Sequence, residues 1–440
     1  MKKKGLFFIV LLALLLFIMV ACGNNSDTAG DNGGGTAGDN DTNSNEEQEG
    51  SGEEATLRFA IWDSNQEPGL RQIADEFQAE NPGININIQV NGWSDYWTAL
   101  EAGATGGSLP DVFWMHSNEI YRYSSNEMLL NLNDYIDSSS LVEMDKFPEG
   151  LTSIYNHEGN QYAIPKDYDT IGLWYNKTMF DEADVSYPDD TWTWDDLYEA
   201  AQALTKDDGS QYGILTPLHN QEGYYNFVYQ NGGTIITDDK VSGYDDPNTI
   251  EALEYYVRFV EEGLSPQEFG DAERANHLQN GYAAMGFFGS WNLTGFTENE
   301  YMVENFDVAV LPAANDGGRA SIFNGLGNAI AHNTEHPEAA WKWVEYLSSE
   351  EGQTKQAELG IAISAYDGVA DAWINSNDVY DIGVFIDMVD YAQIRPYSNT
   401  TAVWEDRTYE ELRGAFTGNK TVEQAANDAA AIMNESLSQE

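Results

Sequence analysis

Covalent chemistry needs a nucleophile, a matched acid and base, a metal set or a phosphate cradle, and this sequence is poor in all of them. The six histidines are scattered, with no His-Glu-x-x-His, so zinc hydrolysis lacks its ligand set. Cys22 is the only cysteine, and there is neither a Gly-x-Ser-x-Gly elbow nor a Gly-x-x-x-x-Gly-Lys-Ser/Thr loop to support acyl or phosphoryl transfer. Carboxylates are plentiful, with 74 Asp and Glu against 20 Lys and Arg and a formal charge of −54. Glycoside hydrolysis needs two of them at a set separation of about 5–9.5 Å, which a count of acids does not supply. So acidic a chain has nothing basic with which to follow a phosphate backbone, which argues against a nucleic-acid partner. It also disfavours an anionic ligand. The 12 Trp, 25 Tyr and 18 Phe make the body rich in aromatics, so its stability must come from packing.

The N-terminus states an address. Lys2, Lys3 and Lys4 precede an apolar run from Leu6 to Ala21, shorter than the roughly 20 residues of a spanning helix and like the core of a secretory signal. Met19-Val20-Ala21-Cys22-Gly23 resembles a bacterial lipobox, with Met19 where leucine is usual. Residues 1–21 are therefore expected to be a lipoprotein signal peptide. Cys22 is the expected lipid attachment, holding the protein on the extracellular side of the cell membrane. With Cys22 so used, no disulfide can form within the chain. Residues 22–54 follow as a tether: from Gly23 on they are mostly Gly, Asn, Asp, Ser, Thr and Glu with almost no apolar residue, a composition that cannot bury enough surface to order itself and reads as acidic and flexible. Asp39, Asp41 and Asn43 imitate a calcium loop, but Ser44 and Gly50 stand where that loop requires glycine and glutamate. The later acids Asp238-Asp239 and Asp245-Asp246 permit a structural calcium or read as a solvated hairpin, and the sequence leaves the two open.

The remaining body, from about Ala55 to Glu440, exceeds a usual single core, so two lobes are expected. Thr56–Trp62 reads as a strand. Leu70, Ile73, Ala74 and Phe77 fall on one helical face, which Asn81-Pro82-Gly83 ends. Ile84, Ile86, Ile88 and Val90 alternate with polar residues as a second strand. Strand, helix, strand predicts a crossover unit and a largely parallel sheet. Pro110–Trp114 and Ile171–Tyr175 read as buried strands, Thr191–Leu204 as a capped helix, and Ala339–Leu347 as an amphipathic one. The fold class is α/β.

Several stretches resemble, in order and spacing, the family 1 extracellular solute-binding proteins, the capture subunits of carbohydrate ABC importers. They are Leu57–Trp62, Phe77–Ile84, Leu109–Phe113, Tyr175-Asn176-Lys177, Gly289-Ser290-Trp291, Pro337–Trp341 and Thr417–Ala425. Within that family the chain is maltose-binding-protein-like. The resemblance implies a two-lobe, periplasmic-binding-protein-like fold of the class II type, with a ligand cleft between lobes joined by a hinge. It divides the body into 55–168 with 326–363, and 169–325 with 364–440. Crossings are expected near Asp167–Asp169, Phe323-Asn324-Gly325 and Gly360–Ser364.

Carried over motif by motif, the resemblance implies sugar contacts at Trp114, His116 and Ser117, at Asp169, at Glu222 and Tyr224, and at Trp291 and Trp404. Asp63 follows the first strand, and Asn324 lies at a crossing, where each is expected to face ligand. Trp93 or Tyr96 would edge the cleft, and Trp97 would pack inward. Ser117 and Asn118 replace the family's charged pair, which leaves the identity of the sugar open. The implied activity is non-enzymatic and needs no cofactor. A monomer captures a carbohydrate by hinge closure and delivers it to the permease subunits of an ABC importer. A polyamine- or cation-binding transport receptor, and a surface glycoside hydrolase using Asp169 and Glu222, are the alternatives.

Overall fold

In the computed structural model, residues 54–267 and 271–440 are described; the signal peptide, Cys22 and all of the tether but Glu54 lie outside them. The chain opens as the sequence predicts. Strand β1 (Ala55–Ile61) leads into helix α1 (Glu67–Glu80), which buries Leu70, Ile73, Ala74 and Phe77 on one face and carries Pro68 in its first turn. Strand β2 (Ile84–Val90) returns beside β1 in parallel, from Ala55 opposite Ile84 to Ile61 opposite Val90. Helix α2 (Trp93–Gly106) and strand β3 (Val112–Met115) repeat the unit on the other edge of β1. A short helix α3 (Ile120–Ser125) follows.

The expected largely parallel sheet holds in that four of its five strands run one way, though parallel pairing itself is confined to these three. Gly327–Ile330 joins β3 antiparallel and is itself paired antiparallel with Ala163–Pro165, completing a five-stranded sheet. A second, three-stranded sheet of Phe306–Ala309, Ile171–Asn176 and Met285–Gly289 is antiparallel throughout. The physical reason is where each strand enters. β1 and β3 run towards the middle of the molecule, whereas Gly327–Ile330 and Ile171–Asn176 start there, just after a chain crossing, and run outwards.

Two hydrophobic cores result. One gathers buried residues from Leu57 to Ile164 and from Phe323 to Tyr366, with Phe59, Phe113 and Trp343 at its centre. The other runs from Ile171 to Ile322 and from Trp373 to Leu437, with Ala357 and Ile363 added. Its helices are built by ordinary rules. Trp194–Leu204, for example, is capped by Thr193 and Asp196, whose side chains and backbone N–H groups bond reciprocally.

The cores meet where three stretches of chain are stitched together. Asp167–Tyr168 pairs antiparallel with Ile363–Ser364, and Asp169 bridges Asn324. The Asp167 carboxylate accepts from the Leu326 backbone N–H at 2.8 Å and forms an ion pair with buried Lys166. Gly325 is packed so closely that a Cβ there would stand 2.2 Å from the Asp167 carbonyl oxygen. Because that obstacle is backbone rather than a flexible side chain, Gly325→Ala is expected to lower stability by about 1–3 kcal/mol or more. Urea unfolding followed by circular dichroism measures the loss.

Candidate functional site

The carboxyl ends of β1 and β3, and of Met285–Gly289 from the other sheet, point their following residues into one cavity of about 770 Å³ beside the stitched crossings. Open α/β sheets place ligands at such strand ends, and the volume is that of a small-molecule site. From the first lobe come Trp62 and Asp63 after β1, Trp93 at the start of α2, and His116 and Asn118 after β3. From the second come Asp169, Gln221 and Glu222, Ser290-Trp291-Asn292, and one face of the helix Thr401–Phe416. Asn324 and Arg395 lie on the floor with the crossings.

Trp62 is the centre of an aromatic wall. Its ring meets Trp93, Tyr96 and Trp114 edge-on at 5.0–5.1 Å between centroids, and Trp97 at 6.0 Å. Such edge-to-face pairs fix the indole's plane. On the opposite side Trp291 lines the cavity, folded over a residue with no side chain. A Cβ on Gly289 would fall 1.9 Å from the Trp291 ring, so only glycine permits this placement. Glu222 holds the same turn. Its Oε1 accepts from the Gly289 N–H (2.8 Å) and from Asn292 Nδ2 (3.0 Å), while Oε2 pairs with buried Arg274 at 2.5 Å.

The polar floor is neutral or paired. Burial, together with the Arg395 charge, pushes the His116 imidazole down to about 3. Its Nδ1 lies 2.7 Å from Asn118 Oδ1, and its Nε2 lies 3.1 Å from Asn324 Nδ2. That leaves buried Asn324 Oδ1 without a partner among the described residues. Arg395, 4% exposed, spends Nη2 on both oxygens of Glu405 (2.7 and 2.8 Å), and its Nε and Nη1 meet no acceptor among the described residues. Burial and then Asp167 push the Asp169 carboxyl well above the usual carboxylate range, against the hydrogen bond from Gln221 Nε2 at 2.7 Å. Burial also raises Asp63, opposed by its bonds from the Asn65 N–H and Gln66 Nε2. Unpaired buried acceptors and donors are costly, and Asn324 Oδ1 with Arg395 Nε and Nη1 are those that this floor carries among the described residues.

Six residues expected at the site line it: Asp63, His116, Asp169, Glu222, Trp291 and Asn324. Trp93 edges it, 41% exposed. Four do not. Trp114 is fully buried behind Trp62, with Lys166 over its ring at 4.3 Å. Ser117 is buried after β3 and is not among the residues lining the cavity. Tyr224 is buried with its hydroxyl 3.1 Å from that of Tyr244, and Trp404 donates its indole N–H to Ser398 Oγ at 2.9 Å from within the second core. Tyr96 likewise is core, its hydroxyl donating to the Trp114 carbonyl at 2.6 Å. The correction at Trp404 is one of helical phase. Thr401, Trp404, Thr408, Leu412 and Ala415 form the buried stripe, and Glu405, Asp406 and Tyr409 the stripe that faces the cleft. Trp62, Arg395, Glu405 and Asp406 were not expected. The sequence offers only one hint at Arg395, that with 20 Lys and Arg against 74 acids every arginine is a candidate carboxylate partner.

Residues 63–354 match the model of the family described as bacterial extracellular solute-binding protein. The chain belongs to that family. Among its relatives are the maltotriose-binding protein of Pyrococcus abyssi and a maltooligosaccharide ABC transporter solute-binding lipoprotein of Streptococcus pneumoniae. The first is 25% identical, covering 79% of this chain and 75% of that one. The second is 23% identical over 89% and 90%. Among solved structures, an ABC substrate-binding protein of Listeria monocytogenes in complex with cycloalternan superposes with a TM-score of 0.80. It is 23% identical, covering 87% of this chain and 99% of that one. This similarity establishes the two-lobe α/β fold.

Two outcomes test the geometry of this solute-binding protein. Hydrogen bonds to a charged group are worth about 1.5–3 kcal/mol, so Glu222→Gln, which removes the charge facing Arg274, should lower stability by about that much in urea unfolding. The second concerns His116, whose folded pKa of about 3 lies below its unfolded value near 6.5. Between those values the unfolded chain binds a proton that the folded chain does not. The His116 contribution to stability is thus present above pH 6.5 and is lost as pH falls towards 3, by at most about 1.4 kcal/mol per pH unit. His116→Asn should flatten the acid limb of stability measured from pH 7 to 4.

Proposed function

We propose that the protein is the capture subunit of a carbohydrate ABC importer. It holds a neutral oligosaccharide between lobes 55–168 with 326–363 and 169–325 with 364–440, and hands it to permease subunits in the membrane. In this reading Cys22 is the lipid attachment that keeps the protein on the extracellular face, residues 22–54 are the tether, and the monomer is the working unit. The observation that carries it is the cleft's make-up. Indole walls at Trp62, Trp93 and Trp291 enclose a floor of amide, imidazole and paired carboxylate groups with hydrogen-bonding capacity left over at Asn324 and Arg395. That is the complement of a sugar's C–H face and hydroxyl rim. The relatives whose names specify maltotriose and maltooligosaccharide, and the neighbour in complex with cycloalternan, point the same way.

Members of this family bind solutes and are not enzymes, and the site agrees. A glycosidase using Asp169 and Glu222 would need both carboxyl groups turned to the glycosidic bond. Both oxygens of Glu222 are occupied by Arg274, Asn292 and the Gly289 N–H, and Asp169 is tied to Gln221. Closure about the crossings would bring Trp291 against a sugar held on the Trp62 wall. Calorimetric titration of the purified protein with maltodextrins, arabino-oligosaccharides and spermidine tests the reading. Saturable one-to-one sugar binding is expected, and Trp291→Ala should weaken it by about 1.5–3 kcal/mol of lost aromatic burial, roughly ten- to hundredfold in Kd. Binding of spermidine alone would replace the sugar reading with a cation one.

A further inference from the structure

A second, smaller cavity of about 250 Å³ adjoins the cleft and shares Trp93, Asn118, Glu405 and Asp406 with it. It lies between α2 and α3 on one side and the helix Thr401–Phe416 on the other, so both lobes build it, as they build the cleft. Its construction repeats the cleft's. Trp93 and Trp97, one helical turn apart on α2, supply indoles, and the Trp97 N–H is buried with no acceptor among the described residues. Opposite them Glu405 and Asp406 supply carboxylates. Glu119 closes the end, paired with Arg122 at 2.8 Å, and Arg122 also pairs with Glu101. Burial, partly offset by Arg122, pushes the Glu119 carboxyl up to about 7, so near neutrality it can donate as well as accept. Ser94, Thr98 and Ala402 are small and leave the space between these walls open.

Resting on the sugar reading above, we propose that this cavity is an extension subsite. It receives a further sugar unit of the same chain, past Trp93, and makes the protein selective for longer oligosaccharides. The face of Trp93 then serves two units, one on each side of the shared boundary. The chain end meets indole rings and a row of carboxylates, which suits a hydroxyl-rich group. The one cation lining this cavity, Arg122, is already paired with Glu101 and Glu119, so an acidic sugar would find no free counter-charge here.

The test is a calorimetric length series, from disaccharide to heptasaccharide, of maltodextrins and arabino-oligosaccharides against the purified protein. Two variants fill the second cavity from opposite walls without touching the main cleft, Ser94→Trp and Ala402→Phe. The wild type should gain about tenfold in affinity at one step of the series, the worth of one more stacked ring. Each variant should erase that gain and leave the affinities of shorter oligomers within twofold of wild type. A series without such a step, or variants that keep the gain or weaken short and long sugars alike, overturns the extension subsite while the sugar reading stands. A panel in which no saccharide binds overturns both, with spermidine binding as the sign of a cation site.

Discussion

Everything in this molecule depends on three chain crossings satisfying their backbone groups at the one place where neither sheet continues. A buried peptide group without a partner costs as much as a lost hydrogen bond, and these segments solve the problem among themselves. Asp169 and Asn324 exchange backbone bonds, Asp167–Tyr168 pairs with Ile363–Ser364, and the Asp167 side chain takes the Leu326 N–H. This small patch fixes which strands begin at the centre and which end there. It therefore sets the sheet directions, the position of the cleft and the residues that face it. Gly325, with no room for a Cβ, keeps the crossings in contact, and a hinge is where closely packed short segments absorb rotation.

The cleft then faces an electrostatic constraint, because a chain of formal charge −54 must bring carboxylates together without mutual repulsion opening the site. It does so by placing scarce cations beside them: Lys166 with Asp167, Arg274 with Glu222, and Arg395 with Glu405. Buried pairs of this kind contribute little net stability. Their effect is on shape, since the Glu222–Arg274 pair anchors the turn that carries Trp291, and Arg395 fixes the helix face bearing Glu405. What is left unpaired, Asn324 Oδ1 and part of the Arg395 guanidinium, is what a ligand can complete.

The first β–α–β unit was legible because its periods are clean: Leu70, Ile73, Ala74 and Phe77 at helical spacing, and Ile86 and Ile88 two apart. Resemblance by motif located Asp63, Asp169, Trp291 and Asn324 on the cleft lining, since each lies directly at a strand end or crossing, where one position decides the outcome. It failed at residues whose facing depends on packing. β3 is buried along its whole length, so alternation gives Trp114 no direction, and Trp404 sits one residue out of phase with the face that carries Glu405. Trp62 and Arg395 were hidden for a different reason. Their roles come from partners far away in sequence, the α2 aromatics and the Glu405 helix, which no local pattern reveals.

The most direct test of the central claim is a crystal structure with the tightest-binding saccharide of the calorimetric panel. The account predicts sugar rings between the Trp62–Trp93 wall and Trp291, with a hydroxyl within hydrogen-bond distance of Asn324 Oδ1 and another of the Arg395 guanidinium. A saccharide bound elsewhere on the surface, or in the cleft with Asn324 and Arg395 still unpartnered, would contradict it.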